Sequence, residues 1–249
     1  MKLTTVLGSV NSNPDYYLFI PKQIYFWRKF GIRFIAVFVG SQLPEVLRPY
    51  SDHIFLWNTD LDLNHAYVAQ NLRMYFASQL ELPDDELVMI TDMDMLPMNG
   101  DYYKRDLEQY EKKDFIHYRT IPYHERQIYM CYNAAHPHTW SEVFQVKSRE
   151  DISARIREHY QANYTGVPGD TGWYIDQEVM YKYVIPYPHL KELRRELRRL
   201  ETWIWDSYFQ SGVDQFIQWY DDGHFHRSYS GNIHRIEHVQ RQLDAQFDQ

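Results

Sequence analysis

The sequence predicts an α/β fold in which a mostly parallel sheet is flanked by helices. Up to Ile90, short apolar runs alternate with stretches whose apolar residues recur at helical spacing, and this alternation is typical of parallel strands joined by crossover helices. The run at 32–40, IRFIAVFVG, is apolar almost throughout, which indicates a strand buried on both faces. Ligands of such sheets collect beyond the carboxyl ends of the strands.

Turn and capping residues place the expected elements along the chain. From the N-terminus we expect a strand at 3–10, a helix at 15–30, a strand at 32–40, a short helix near 43–49, a strand at 54–57, a helix at 64–80 and a strand at 86–91. Gly31 stands where a helix C-cap belongs, and Asn64 is a suitable N-cap for the helix after it. Further on we expect strands near 115–119 and 128–134, a helix at 149–162, a helix from about Asp176, a charged helix at 189–201 and an irregular tail from 202.

Composition narrows the function classes. The chain has 249 residues, of which 34 are acidic and 26 basic, for a net charge of −8, so we expect no nucleic-acid partner. Cys131 is the one cysteine, which excludes an intrachain disulfide. The N-terminal apolar run is too short for a signal peptide or a membrane anchor, and we expect a soluble cytoplasmic protein with no membrane span. Aromatic residues at 17% suit stacking on sugars as well as filling a core.

Two aspartates, Asp92 and Asp94, follow the apolar strand in VMITDMDMLPMNGDYY (88–103). Two acids one residue apart at the end of a buried strand cost free energy in desolvation and mutual repulsion. A hard divalent cation such as Mg²⁺ or Mn²⁺ removes that cost, because carboxylate oxygens are its preferred ligands. The D-x-D pattern at this strand end therefore predicts a metal site.

With this motif on the predicted fourth strand, the chain resembles the metal-dependent nucleotide-sugar glycosyltransferases of the GT-A fold, and most of all the glycogenin and lipopolysaccharide galactosyltransferase group. The resemblance implies a single GT-A (Rossmann-like) domain over 1–249, with a nucleotide-binding half at 1–100 and an acceptor-binding half with the C-terminal tail at 101–249. It also implies a UDP-sugar donor, a glycan or glycoconjugate acceptor, and a Mn²⁺ or Mg²⁺ ion held by Asp92 and Asp94 against the donor diphosphate.

The same resemblance assigns the first strand end and one helical arginine to the donor. In GSVNSNPDYY the family pattern gives Ser9, Val10, Asn11 and Tyr16 to the base and ribose, although an ordinary strand–loop–helix junction has the same composition. Arg73 precedes the D-x-D by nineteen residues, where the family keeps a cation near the donor sugar and phosphate. The alternative for Arg73 is a solvent-exposed helical side chain.

Two further motifs resemble the part of the family site that holds the sugar. In MCYNAAHPHTW, Asn133 and Ala134 match residues that contact sugar hydroxyls, although Ala135 stands where the family has glycine. The alternative for Asn133 is a turn residue at the end of a strand.

The second of these motifs is GWYIDQEVMYKY. In the family pattern Asp176 binds sugar hydroxyls and the Gln177 amide lies near the anomeric carbon. Glu178 and Tyr181 depart from the usual residues at the following positions. The alternative for Asp176 is an acid favoured by the dipole at a helix N-terminus.

The C-terminal stretch DDGHFHRSYSGNIHR (221–235) resembles the segment that supplies the family with a histidine metal ligand. His224 is the first candidate, His226 the second and His234 the third, since imidazole can join carboxylates on Mn²⁺. The family's Lys-Pro-Trp sequence is missing, so Arg227 or Arg235 would have to serve the phosphate.

Several alternatives remain open at the level of sequence. If the likeness holds fully, it implies a reaction that retains the anomeric configuration. If it holds only for the fold, an inverting reaction is open, with Asp176 or Asp170 as its general base. A Mg²⁺-dependent phosphohydrolase with an aspartyl nucleophile ranks low, because its D-x-D belongs on the first strand. A non-catalytic carbohydrate-binding protein is the third class. The candidates for an aromatic wall at the acceptor are His117, Tyr123, His136, Trp140, Trp173 and Tyr174.

Overall fold

The computed structural model describes residues 1–59, 61–167, 169–213, 215–226 and 228–247. The strands are β1 (Lys2–Val10), β2 (Arg33–Val39), β3 (Ile54–Trp57), β4 (Glu86–Ile90), β5 (Met95–Pro97), β6 (Phe115–His117), β7 (Asn133–Ala135), β8 (Leu190–Glu192), β9 (Arg199–Glu201) and β10 (Asp222–His224). The α-helices are α1 (Pro14–Tyr17), α2 (Ile20–Lys29), α3 (His65–Phe76), α4 (Gly100–Lys104), α5 (Pro137–Phe144), α6 (Arg149–Glu158), α7 (Ile175–Val184), α8 (Thr202–Gln210) and α9 (Tyr229–Phe247). Short 3-10 helices cover Glu45–His53, Ala77–Gln79, Tyr123–Glu125 and Ile217–Trp219.

The large sheet confirms the predicted architecture. Over the ranges described, its strands run in the order β3-β2-β1-β4-β7-β6-β8. β1 pairs in parallel with β2 and β4, β2 with β3 and β6 with β8, whereas β7 is antiparallel to both of its neighbours. The carboxyl ends of β1 and β4 therefore lie side by side, and the residues that follow them share one edge of the sheet.

A second sheet of three strands joins the segment after the two aspartates to the C-terminal part of the chain. β10 lies in its centre, antiparallel to β5 and parallel to β9. The register places His224 opposite Met95 on one side and opposite Glu201 on the other. The backbone N–H of Phe225 also donates to the carbonyl of Asp94 at 2.8 Å, so this sheet carries the C-terminal histidines to the D-x-D segment.

Alternate residues of the central strands belong to two different cores, one on each face of the large sheet. Val6 and Met89 pack into the core on the side of α2 and α9, and Leu7 and Ile90 into the core on the side of α3, α5 and α7. All four are fully buried, and each such side chain contributes about 1.5–3 kcal/mol by leaving water. The continuous apolar runs of the sequence thus have the two-sided burial that they predict.

The predicted caps of the first helices are confirmed. Gly31 follows α2 with φ of +71°, a left-handed conformation that glycine adopts without strain. The Asn64 side chain accepts a hydrogen bond from the N–H of Ala66 at 2.8 Å and caps α3. The predicted helix at 15–30 is divided into α1 and α2. Within the described ranges, no helix combines the length and apolarity needed to cross a bilayer.

The prediction of a charged helix at 189–201 is wrong. That segment forms β8 and β9, joined by residues without regular structure. Three of its arginines have separate partners: Arg195 donates to backbone carbonyls, Arg198 pairs with Asp221 and Arg199 pairs with Asp222. These long-range contacts override the local helix propensity of an Arg- and Glu-rich run.

Other boundaries of the second half also differ from the prediction. The strand expected at 128–134 is limited to β7, and the tail expected to be irregular from 202 contains α8, β10 and the 19-residue helix α9. Three-residue strands give no periodic signal. Helix α9 buries Ile236, Val239 and Leu243 at helical spacing, a pattern that predicts a helix in the tail and was not used in the prediction.

Candidate active site

A cavity of about 560 Å³ opens at the carboxyl ends of β1 and β4, within the range of about 300–1,000 Å³ that small-molecule sites occupy. It is the position that this sheet topology predicts for a ligand. The predicted site residues that line it are Ser9, Val10, Asn11, Tyr16, Arg73, Asp92, Asp94, Asp176, Gln177, His224 and His226. Elements far apart in the sequence thus converge on one chamber.

The loop after β1 is ordered by its own polar side chains. Asn11 accepts a hydrogen bond from the N–H of Asn13 at 3.0 Å, and Asn13 accepts one from the N–H of Asp15 at 3.0 Å, which caps α1. These Asx turns carry Tyr16 to the cavity wall. The Ser9 hydroxyl donates to the carbonyl of Ala69 and so holds α3 to the strand end.

Arg73 lies at the centre of a buried charge cluster. It is therefore not the solvent-exposed helical side chain that was the alternative for this residue. Its guanidinium is paired with Asp92, lies 3.0 Å from Asp176 Oδ2, and donates to the carbonyl of Thr91 at 3.0 Å. The residue is only 7% exposed. Helix α3, the end of β4 and the first turn of α7 therefore meet through one cation, and we call Arg73, Asp92 and Asp176 the buried triad.

The two acids of the buried triad respond to their surroundings in opposite directions. Burial opposes the ionisation of both, but at Asp92 the Arg73 guanidinium outweighs burial and lowers the pKa. At Asp176 burial dominates over the attraction of Arg73, and the pKa rises to about 6. Asp176 also accepts hydrogen bonds from Gln70 at 3.1 Å and from the N–H of Gln177 at 2.9 Å.

Asp94 faces a different set of partners. Its Oδ2 lies 3.5 Å from His224 Nε2, and the Nδ1 of the same ring lies 3.3 Å from Glu201 Oε2. That carboxylate also lies 2.8 Å from His226 Nε2. We call Asp94, Glu201, His224 and His226 the histidine cluster. The structure thus brings Asp92 to Arg73 and Asp94 to His224, while Glu201 joins His224 to His226.

The histidine cluster has the donor set of a metal site. Burial disfavours a charged imidazole at His224, but Asp94 and Glu201 outweigh it and raise the pKa to about 9. Burial likewise opposes ionisation of Glu201, and the two histidines overcome it and lower the pKa of that carboxyl. A cluster that attracts a proton so strongly presents a local negative field, and carboxylate oxygens with imidazole nitrogens are ligands of divalent metals.

Three further polar residues at the site, Glu201, Gln70 and Arg119, were not predicted from the sequence. Glu201 ends a strand of three residues, so neither a motif nor a period marks it. Gln70 lies one helical turn before Arg73, and a search for polar residues on that face of the predicted helix would have found it. Arg119 lines the cavity with its guanidinium 4.2 Å above the Tyr129 ring, and none of the described residues forms an ion pair with it.

Asn133 and Ala134, which were predicted to contact the donor sugar, do not line the cavity. Both are fully buried in the large sheet. The Asn133 amide donates to the carbonyls of Tyr129 and Met130 at 2.8 and 2.9 Å, and its oxygen lies 2.8 Å from His117 Nδ1. Its hydrogen-bonding groups are thus occupied within the protein.

The other C-terminal candidates for binding phosphate or metal do not contribute to the cavity within the described residues. Arg235 forms a bidentate pair with Asp206 at 2.8 and 3.0 Å, and His234 packs edge-on against Trp205; neither lines the cavity. Arg227 lies outside the described residues. Asp170, the second candidate for a general base, does not line the cavity either.

The predicted aromatic wall is largely wrong. His117, His136 and Trp140 are buried in the core, where they cannot touch a ligand. Tyr123 and Tyr174 are exposed but lie outside the cavity. Of the predicted set, Trp173 lines the cavity, and it is joined by Tyr129 and Tyr164.

The comparisons with known proteins concern the fold. No protein-family model matches the chain, and no curated protein matches its sequence. A crystal structure of the galactosyltransferase LgtC with donor and acceptor sugar analogs aligns with a TM-score of 0.52 at 10% identity, over 97% of this chain and 96% of that one. An active-site mutant of LgtC aligns with a TM-score of 0.50 at 8% identity, over 96% and 95%. The predicted GT-A fold is confirmed by this likeness.

Proposed function

We propose that the protein is a metal-dependent glycosyltransferase that moves a sugar from a nucleotide-sugar, with a UDP-sugar as the expected donor, to a hydroxyl of a glycan or glycoconjugate. One observation carries the proposal. The cavity at the ends of β1 and β4 is lined by all of the buried triad and by Asp94, His224 and His226 of the histidine cluster. The fold is shared with a galactosyltransferase whose structure holds donor and acceptor sugar analogs.

The first strand end suits the nucleotide. Val10, Asn11 and Tyr16 present an apolar side chain, an amide and a ring to the cavity. A flat base can stack on a tyrosine ring, and the amide can bond a ribose hydroxyl. The Asx turns hold this loop in shape before a ligand arrives, which reduces the entropy lost on binding.

The histidine cluster suits the diphosphate only when a cation is present. Asp94 and Glu201 would repel two phosphates, and the residues that would hold a divalent ion lie among this cluster. A bound ion supplies neutralisation of the charge that develops on the leaving diphosphate. Arg119 adds a cation of the chain itself, since no described carboxylate neutralises it; we expect it to contact the donor phosphates or an acceptor group.

The buried triad suits the sugar. Asp176 lies on the first turn of α7, and Gln177 beside it lines the cavity. Arg73 and Gln70 fix the Asp176 carboxylate, so its remaining acceptor capacity is oriented without a further loss of side-chain freedom. Among the described residues, no hydrogen-bond partner is found for the side-chain amide of Gln177. This side-chain amide is therefore available to a ligand near the reacting carbon.

The proposal is tested by incubating the protein with UDP-, GDP- and TDP-sugars and measuring release of the nucleoside diphosphate, first with Mn²⁺ and then with EDTA. We expect release from one nucleotide class, dependent on the metal and lost in Asp176→Asn. Asp101→Asn, an exposed acid outside the cavity, is the matched control. Release that persists in EDTA, or equal loss in both variants, would contradict the proposal.

A further inference from the structure

Three side chains of the histidine cluster point to a metal site different from the one that the D-x-D motif predicts. Glu201, His224 and His226 each offer one ligand atom, and the three atoms lie within 4.8 Å of one another. We propose that these residues form a divalent-metal site of two imidazoles and one carboxylate, in which Asp94 orients His224 and does not coordinate the ion.

The backbone already holds the three ligands together. Glu201 and His224 are register partners on β9 and β10, and His226 follows two residues later. The distances from Glu201 Oε2 are 3.3 Å to His224 Nδ1 and 2.8 Å to His226 Nε2. Metal bonds of about 2.0–2.2 Å in tetrahedral geometry separate ligand atoms by about 3.3–3.6 Å. Side-chain adjustments of less than about 1 Å therefore admit an ion.

Asp94 meets the opposite nitrogen of the His224 ring. Its Oδ2 lies 3.5 Å from Nε2 while Nδ1 faces Glu201. A carboxylate on the far nitrogen is the usual partner of a metal-bound histidine, because it fixes the ring and its tautomer. Asp92 has no such place in the site, since its carboxylate is held by Arg73. The two aspartates of the motif thus serve an arginine and a histidine.

The ligand types predict which ion binds. Two imidazoles favour Zn²⁺, Co²⁺, Ni²⁺ and, more weakly, Mn²⁺, whereas Mg²⁺ prefers a shell of oxygens alone. His224 and His226 line the cavity, and three protein ligands leave a coordination position open to a ligand there. That this ion also meets the donor diphosphate rests on the proposed function; binding of the ion itself does not.

The test is calorimetric titration of the EDTA-stripped full chain with Zn²⁺, Mn²⁺ and Mg²⁺ alone, without nucleotide. We expect one Zn²⁺ per chain, Mn²⁺ weaker, and Mg²⁺ weaker still. Glu201→Gln and His226→Asn should each weaken Zn²⁺ binding more than about 100-fold, and Asp94→Asn by about 10–100-fold, as for loss of an orienting partner. His234→Asn, an exposed histidine outside the cavity, is the matched control and should bind Zn²⁺ as the wild type does. Circular dichroism checks that each variant is folded.

Three results would overturn the proposal: no Zn²⁺ binding, binding that survives both Glu201→Gln and His226→Asn, or binding lost in Asp92→Asn while Glu201→Gln retains it. The third result would restore the carboxylate site of the motif. Failure here is separable from failure of the proposed function. If the protein binds Zn²⁺ through Glu201 but cleaves no nucleotide-sugar, the proposed metal site stands and the proposed function is wrong. If the protein cleaves a donor but Glu201→Gln leaves metal binding unchanged, the proposed function stands and this metal site is wrong.

Discussion

Replacing Arg73 by methionine should destabilise the protein strongly, because this one guanidinium balances both acids of the buried triad. The Arg73 side chain is 8% exposed, and its partners Asp92 and Asp176 are 27% and 3% exposed. Methionine fills most of the space but leaves two carboxylates without a counter-ion and the Thr91 carbonyl without a donor. Removing one member of a buried ion pair costs about 3–5 kcal/mol.

The free energy of unfolding can be measured by urea denaturation and the melting temperature by calorimetry. At about 2–4 °C per kcal/mol for a chain of this size, Arg73→Met should lower the melting temperature by roughly 6–20 °C. Arg28→Met removes an exposed arginine from the last turn of α2 and should change stability by less than about 0.5 kcal/mol. The double variant Arg73→Met/Asp176→Asn should recover part of the loss, since it removes one uncompensated charge.

An Arg73→Met variant as stable as Arg28→Met would contradict this prediction. The prediction would also fail if adding Asp176→Asn to Arg73→Met lowered the free energy of unfolding by as much as Asp176→Asn lowers it alone. Either result would mean that the triad is hydrated and that its charges do not depend on one another.

Other predictions concern the same cavity and its surroundings. Asp176→Asn should lower the rate of sugar transfer by roughly ten- to hundredfold, while the affinity for the nucleoside diphosphate changes little. If the nucleotide affinity fell as much as the transfer rate, the assignment of α7 to the sugar would be wrong. Gln177→Ala should lower turnover with little change in donor affinity, as steady-state kinetics would show. Because burial raises the pKa of Asp176 to about 6, transfer that needs its carboxylate should decline below about pH 6, and a pH–rate profile of Asp176→Asn should lack that limb. For stability the sign is opposite to that of a salt-bridged acid: the contribution of Asp176 is present below its unfolded pKa of 3.8 and is lost as pH rises through about 6. Asn133→Ala should lower the free energy of unfolding by about 1–3 kcal/mol and leave the nucleotide affinity unchanged. A loss of nucleotide affinity without a loss of stability would show that Asn133 contacts the ligand.

The first half of the fold could be predicted because its elements are long and periodic. β1, β2 and β4 have apolar runs, and the caps Gly31 and Asn64 separate them from the helices. The same order places Arg73 and Asp92 at one edge of the sheet, which is why this part of the cavity could be predicted from the sequence.

The second half could not be predicted in the same way because its strands have three residues each. Glu201 reaches His224 only through the pairing of β9 with β10, a long-range contact that no local pattern records. The Arg-rich run at 194–199 has helical composition, yet the aspartates at 221 and 222 draw it into extended structure. Asn133 matches a family motif by letter, but its amide is occupied by backbone carbonyls and His117.

Calorimetric titration of UDP into the full chain, with Mn²⁺ and with EDTA, tests the central claim most directly. The acids of the histidine cluster repel a diphosphate unless a cation lies between them, so the account predicts affinity at least about tenfold higher with Mn²⁺, a difference of about 1.4 kcal/mol. The gain should disappear in His224→Asn and persist in Glu178→Gln, an exposed acid on α7. Equal UDP affinity in Mn²⁺ and EDTA, or an unchanged gain in His224→Asn, would contradict a metal-dependent nucleotide-sugar site in this cavity.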